Sequence, residues 1–334
     1  MIDINLIVQD PNYVKEALKK RNYIFEPDEV ISLYEKQKKI IQIVEKNNFE
    51  RNKLSSEVGK FKNNNQKIKE ISLLVNEIKN KNKSYNSELE KITEKIKKIL
   101  LDLPNLPDND LPSGGKENNK IIKEYGKKPV FNFKIKDHVE IAKKLNLIDY
   151  ERAAKISGSG ASIYVNNGAK LEWALINFFI SEHLKNGYQF IIPPHLFNEN
   201  TGFGSGQFPK FYNAVFKLEK EDKFLIPTAE TILANLHSNE ILNKKDLPEK
   251  YFAYTPCYRR EAGSYRTEER GIIRSFQFNK VEMFQFTTKE VSDDAFDEMT
   301  KIVTSIMEKL GLHFRLMKLA AGDCSNAMAR TYDV

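Results

Sequence analysis

Residues 254–286 read YTPCYRREAGSYRTEERGIIRSFQFNKVEMFQF, the pattern of a β-hairpin with chemistry on one face. The first arm, 254–261, is aromatic and β-prone. The middle, 262–271, is polar and charged and carries Gly263 and Gly271, so it reads as a long loop. The second arm, 272–286, is rich in Ile, Val and Phe. Side chains alternate along a strand, so residues two apart share a face. One face of the second arm then holds Arg274, Phe276, Phe278, Lys280 and Glu282, and on the first arm Arg259 and Glu261 pair in the same way. Guanidinium forks bind phosphate, an aromatic ring offers a stacking platform for a base, and carboxylates accept from an ammonium or a hydroxyl. Each residue alone fits a solvated hairpin laced with ion pairs. Gathered on one period-2 face, they suit a nucleotide and a small zwitterion.

At 334 residues the chain has room for one large domain and a smaller one, and 40% hydrophobic residues suffice for a core. No apolar run is long enough to span a bilayer. The start, MIDINLIVQDP, lacks the basic-then-apolar order of a secretory signal. Cys257 and Cys324 have no metal-type spacing and read as free thiols of a cytosolic protein. The net charge is +7, and residues 28–101 hold 17 basic against 11 acidic residues. Nearly the whole excess therefore sits in one early segment, which points to a polyanionic partner there. A solvated Lys-rich helix surface is the competing explanation.

That segment carries two heptad seams. Pro27 and Asp28 make a helix start with Asp28 as N-cap. The first seam is Val30, Leu33, Gln37, Ile40, Val44, Asn47, Arg51, Leu54, Val58 and Phe61. After KNNNQK the second runs Ile68, Ile71, Val75, Ile78, Asn82, Tyr85, Leu89, Ile92, Ile96, Ile99 and Leu103. Two seams joined by a short polar turn predict an antiparallel coiled-coil hairpin. Folding it about the turn sets Asn47 opposite Asn82, a buried amide pair that fixes register. Residues 103–115, LPNLPDNDLPSGG, read as a linker. A coiled coil alone is more often an oligomerisation device than a nucleic-acid reader.

Further on, Asp137 and His138 begin a helix, with His138 a capping or packing residue. Residues 154–165 read as a Gly/Ser-rich loop entering a strand. Residues 171–184 form an apolar helix ended by Gly187, and YQFIIPPHLF is a strand broken by Pro193 and Pro194. TGFGSGQFPKF (201–211) lacks the Lys-Ser/Thr of a phosphate loop and reads as a mobile loop. LIPTAE (225–230) ends a strand at Thr228, Ala229 and Glu230. Residues 291–310 form an amphipathic core helix with no chemistry assigned.

Arg-x-Glu closing one strand, a long loop, then R-x-F-x-F-x-K-x-E on the next resembles motif 2 of class II aminoacyl-tRNA synthetases. The wording TPCYRREAGSYRTEERGIIRSFQFNKVEM is similar to the bacterial type of seryl-tRNA synthetase. The order of the remaining segments is similar too: a coiled-coil arm, a proline-rich linker, a motif 1-like helix and strand with Pro194 at the motif's proline, a TGTGQLPKF-like segment and TAE. The closing TYDV matches TYDLE.

The resemblance implies an α+β protein. A tRNA-binding antiparallel coiled-coil arm (1–103) and a linker (104–120) precede a class II antiparallel-sheet catalytic domain flanked by helices (121–334), incomplete at its C-terminus. It implies activation of serine with ATP to seryl-adenylate and transfer to tRNA(Ser), with tRNA(Sec) as an additional acceptor. Arg259, Glu261 and Arg274 would be catalytic, and Arg259, Arg260, Glu261, Arg274 and Phe278 would bind ATP. Thr228, Ala229, Glu230 and Glu282 would bind serine, and Lys60, Lys62, Lys67 and Lys69 the tRNA. It also implies a cytoplasmic homodimer formed through motif 1 around Pro194, with no membrane partner. Motif 3 and the ligands of the ATP-bound Mg²⁺ are expected beyond Val334, and no metal ligand is assigned within the chain. A reading from another class is an inactive synthetase-like protein that binds tRNA or scaffolds a partner. A purely structural coiled-coil protein would leave everything after Pro104 unexplained.

Overall fold

A computed structural model of the chain describes residues 1–58, 64–261 and 271–334. Two compact units result: Met1–Lys120 with Lys318–Thr331, and Ile121–Met317 with Tyr332–Val334.

The first unit opens with two short helices, α1 (Ile4–Gln9) and α2 (Pro11–Lys19), each started by an aspartate, Asp3 and Asp10, whose carboxylate accepts from a first-turn N–H. The long helices α3 (Asp28–Val58) and α4 (Asn65–Asp102) follow. Asp28 is the first helical residue of α3 rather than its cap. Its charge still suits the positive end of the helix dipole. At the root of the pair, Val30, Ile40, Ile92, Ile96 and Leu100 join Ile7, Val14 and Leu18 in one core. Farther out α3 and α4 pack on each other. There Asn47 Nδ2 donates to Asn82 Oδ1 at 2.8 Å and Asn82 Nδ2 to Asn48 Oδ1 at 3.1 Å, with Asn82 only 7% exposed. The expected register is the observed one, with a third amide added.

Residues 104–120, expected as a linker, are built into this unit together with 318–331. Asn105 N–H donates to Asn326 O, Asp108 N–H to Ala329 O and Gly322 N–H to Gly114 O. Arg330 pairs with Asp108 at 2.7 Å. A Cβ on Gly322 would lie 2.7 Å from the Gly114 carbonyl oxygen, so the close approach requires glycine there. The Arg21 guanidinium, with its residue 8% exposed, donates to the carbonyls of Cys324, Ser325 and Met328.

The second unit begins inside β1 (Lys120–Tyr125), from Ile121, and continues with α5 (His138–Lys144), α6 (Tyr150–Ser157) and α7 (Asn166–Lys185). The helix α5 begins here as expected, with Asp137 as the cap and His138 its first residue. The first third of the Gly/Ser-rich stretch is helix, and a single bridge, Ile148 with Tyr164, represents the expected strand. Next come β2 (Gln189–Ile191), β3 (Leu196–Phe197), α8 (Glu199–Gly204), β4 (Phe224–Leu225) and α9 (Glu230–Leu233). The hairpin strands β5 (Glu249–Tyr258) and β6 (Gln277–Phe286), α10 (Ser292–Lys309), β7 (Phe314–Lys318) and β8 (Tyr332–Asp333) complete it. The central sheet has the order β2-β5-β6, with β2 parallel to β5 and β5 antiparallel to β6 over ten residue pairs. Smaller sheets are β1-β7-β8 and β3-β4.

Alternation sorts the hairpin into two faces. Phe252, Val281 and Met283 pack against Ile302 and Ile306 of α10 and Phe178 and Phe179 of α7. The other face carries Ala253, Thr255 and Cys257, all fully buried, opposite Glu282, Lys280 and Phe278. Residues 201–211 are not a loose loop. Phe208 is 2% exposed, in a core with Phe197, Val215 and Phe224, and a Cβ on Gly202 would strike its ring.

Candidate active site

Small residues on β5 leave room for long ones on β6. Opposite Ala253 and Thr255, the side chains of Glu282 and Lys280 lie over the sheet and meet the turn before α9. Thr228 Oγ1 donates to Glu282 Oε2 at 2.6 Å, and the Glu230 backbone N–H donates to the same oxygen at 2.9 Å. Lys280 Nζ donates to Glu282 Oε1 at 2.7 Å and to Thr228 Oγ1 at 2.8 Å. Both carboxylate oxygens of Glu282 are thus engaged. No hydrogen bond to the Glu230 carboxylate is found among the described residues. Burial, reinforced by the charge of Glu282, raises its pKa against the pull of Lys280 and Arg259. Thr228 and Ala229 are 3% and 0% exposed, forming a closed floor.

One step along the hairpin, Arg259 Nε donates to the Pro227 carbonyl at 3.2 Å, and its guanidinium carbon lies 5.1 Å from the Phe278 ring centroid. The backbone N–H of Arg259 bonds Phe276 O, which extends the hairpin pairing past the strand end. Glu261 and Arg274 form an ion pair at 2.7 Å, with side chains 22% and 43% exposed. Exposed pairs of this kind contribute roughly 0.2–1 kcal/mol, so orientation of the guanidinium is the larger consequence. Arg260 departs from the group: it is exposed, and its Nη1 reaches the Asn213 carbonyl at 3.5 Å. Beside Phe278 lies a cavity of about 190 Å³ lined by Ile156, Ser162, Tyr164 and Phe276 among others. His138 Nε2 accepts from Ile272 N–H at 3.3 Å, a packing role at the hairpin.

The period-2 face expected from sequence therefore gathers Arg259, Phe278, Lys280 and Glu282 with Thr228, Ala229 and Glu230, and sets the Glu261–Arg274 pair where the hairpin pairing ends. Lys280, to which no role was given, joins the two carboxylate-bearing elements, and the alternation that marks Glu282 marks it too. The Pro227 carbonyl leaves no sequence signal. Lys60, Lys62 and residues 262–270 of the expected long loop (262–271) lie outside the described residues. Lys67 and Lys69 are exposed in the first turns of α4, which Asn64 caps by accepting from the Lys67 N–H. Among the described residues no group of three or more His, Cys, Asp or Glu is placed to hold a metal ion, and no helix is long and apolar enough to cross a membrane.

Comparison with known proteins accounts for both units. Residues 1–107 match the seryl-tRNA synthetase N-terminal domain, and residues 214–334 match the tRNA synthetase class II core domain (G, H, P, S and T). The chain is 48% identical over 340 residues to serine–tRNA ligase 2 of Clostridium acetobutylicum and 43% identical over 339 residues to the serine–tRNA ligase of Petrotoga mobilis. Each match covers 100% of this chain and 80% of the relative. A crystal structure of seryl-tRNA synthetase from Pyrococcus horikoshii complexed with ATP superposes with a TM-score of 0.91 at 32% identity, over 100% of this chain and 80% of that one. With this identity along its whole length, and with an arm and a class II core in the same order, the chain belongs to the serine–tRNA ligase family of class II aminoacyl-tRNA synthetases.

Proposed function

We propose that this serine–tRNA ligase activates serine with ATP on the face shared by Arg259, Phe278, Lys280, Glu282, Thr228 and Glu230, and charges tRNA(Ser) held by the α3–α4 arm. The observation that carries the reading is the division of labour between two carboxylates. Glu282 is held at both oxygens by Thr228, Lys280 and the Glu230 N–H, with Oε1 accepting from Lys280 and keeping a lone pair for a substrate hydroxyl. Glu230, beside it, is desolvated and lacks a hydrogen-bonded partner among the described residues. A substrate ammonium is the missing counter-charge.

The serine carboxylate is ionised at neutral pH, so its attack on the α-phosphorus of ATP needs no general base. A carboxylate–phosphorus bond forms and pyrophosphate leaves. The 3′-terminal adenosine of the tRNA then takes the seryl group and AMP departs. Catalysis is positioning and charge stabilisation. Arg259, fixed by Pro227 and Phe278, bridges the serine carboxylate and the α-phosphate. Phe278 stacks on adenine, and Glu261 orients Arg274 toward phosphate. Glu230 takes the ammonium, while Thr228 and Glu282 take the hydroxyl over the floor made by Ala229. A site built to satisfy a hydroxyl rejects alanine by roughly 10⁴-fold. Arg260, directed at Asn213, is left as an accessory contact to ATP. Mg²⁺ is the expected companion of the ATP.

A homodimer formed around Pro194 is supported by the exposure of that proline and of Ile192, 77% exposed beside it. A cytoplasmic setting agrees with Cys257 and Cys324 as buried free thiols. Serine-dependent ATP–pyrophosphate exchange tests the reading. We expect exchange with serine and at most traces with threonine, alanine or glycine. Arg259→Ala should lower it about 100-fold or more, with tRNA binding nearly unchanged. Undiminished exchange in that variant would remove Arg259 from the mechanism.

A further inference from the structure

On α3 the seam positions Ile40, Val44, Asn47, Arg51 and Leu54 face α4, so the residues between them in the heptad face outward. One outward column reads Lys39, Lys46, Lys53, each seven residues from the next. Two helical turns separate neighbours, and the column spans about 21 Å along the axis. All three lysines are exposed, and none has an ion-pair partner among the described residues. Lys36 on the same helix, by contrast, pairs with Glu88 at 2.6 Å. Between Lys46 and Lys53, three residues from one and four from the other, stands Phe49. It is 74% exposed, the most exposed of the large apolar side chains on either arm helix. The seam gains nothing from a phenylalanine there; α4 also presents exposed lysines, Lys91, Lys95 and Lys98 on one face, but no exposed aromatic ring among them.

We infer that this outer face of α3 is the surface that meets the tRNA, its lysine column lying along the phosphate backbone and Phe49 packing on an unpaired base or a ribose. Evenly spaced, unpaired ammonium groups release counterions from a phosphate chain. A lone exposed ring among them gives a stacking contact tolerant of sequence. This rests on the arm's proposed role in tRNA binding and adds the face and the residues.

The test is binding of a tRNA(Ser) transcript to the full chain across a salt series. Replacing Lys39, Lys46 and Lys53 together by Ala should lower the slope of log K against log salt by about 2 to 3. Phe49→Ala should weaken binding roughly fivefold or more with the slope unchanged. All four positions lie outside the seam, so helix content by circular dichroism should match the parent. A third protein replaces residues 41–88 by a short Gly-Ser turn, keeping Ile40 and Leu89 in the root core. If the lysine and Phe49 variants bind with parental affinity and slope, the inference is overturned. Loss of binding on shortening the arm would then leave the arm's role standing without this face. Parental binding by the shortened protein would end both.

Discussion

Glu230 is held in a place that costs the fold something. Its carboxylate is desolvated, faces the charge of Glu282, and titrates above the usual carboxylate range. An acid whose folded pKa is raised disfavours the folded state once pH climbs past its unfolded value, near 4.3, and the cost grows until pH passes the folded one. Glu230→Gln should therefore raise the melting temperature at pH 7 by about 2–4 °C for each kcal/mol relieved, while serine-dependent exchange falls at least 100-fold. Calorimetry beside the exchange assay reads both, and a lower melting temperature would contradict the desolvation argument. At this scale the sequence carried the side chains of the hairpin face, because alternation is a local property. It could not carry the anchoring of Glu282, which depends on a backbone N–H 52 residues away in the chain, nor the hold of Pro227 O on Arg259.

Among the elements, the arm was the most legible, because two uninterrupted seams leave one way to fold. Its amide cluster should set register at the expense of stability. Asn82→Leu should raise the arm's thermal stability and allow slipped pairings, read by disulfide trapping between cysteine pairs placed one heptad apart; a single trapped register would argue against the role. The turn after α9 was not legible. There His237 lies between carboxylates, Nδ1 2.9 Å from Glu240 and Nε2 2.7 Å from Glu249, with the Tyr251 hydroxyl at 3.2 Å and the Phe286 ring edge-on. The hydrogen bond to Glu240 and the charges of both glutamates raise its pKa against burial. A raised folded pKa gives stability that is full below the unfolded value of about 6.5 and is lost as pH rises through the folded one. His237→Gln should flatten the fall in melting temperature from about pH 6.5 upward, measured by scanning calorimetry across that window. The glycines of 201–211 misled in the opposite sense: they permit close packing of Phe208 and Asn235 rather than motion.

For the whole molecule, the separable piece is the outer arm and nothing larger. Ile40, Ile92 and Ile96 share a core with Ile7 and Leu18, and burying each such side chain is worth about 1.5–3 kcal/mol. Replacing residues 41–88 should thus leave serine-dependent exchange within about twofold, while charging of tRNA(Ser) falls at least tenfold. Exchange lost together with charging would show that the outer arm supports the catalytic unit. The family order of segments was legible from end to end, but the place of 318–331 was not. Its attachment to 104–119 and Arg21 is made mainly by backbone groups, which every sequence possesses. That attachment bears on synthesis. When the ribosome has delivered the first 120 residues, the carbonyls that will receive Arg21 lie about 200 residues away. At 5–20 residues per second they arrive roughly 10–40 s later. Until then the arm's root is an unfinished fold, so an early segment of the chain waits on one made about 200 residues later to satisfy its buried cation.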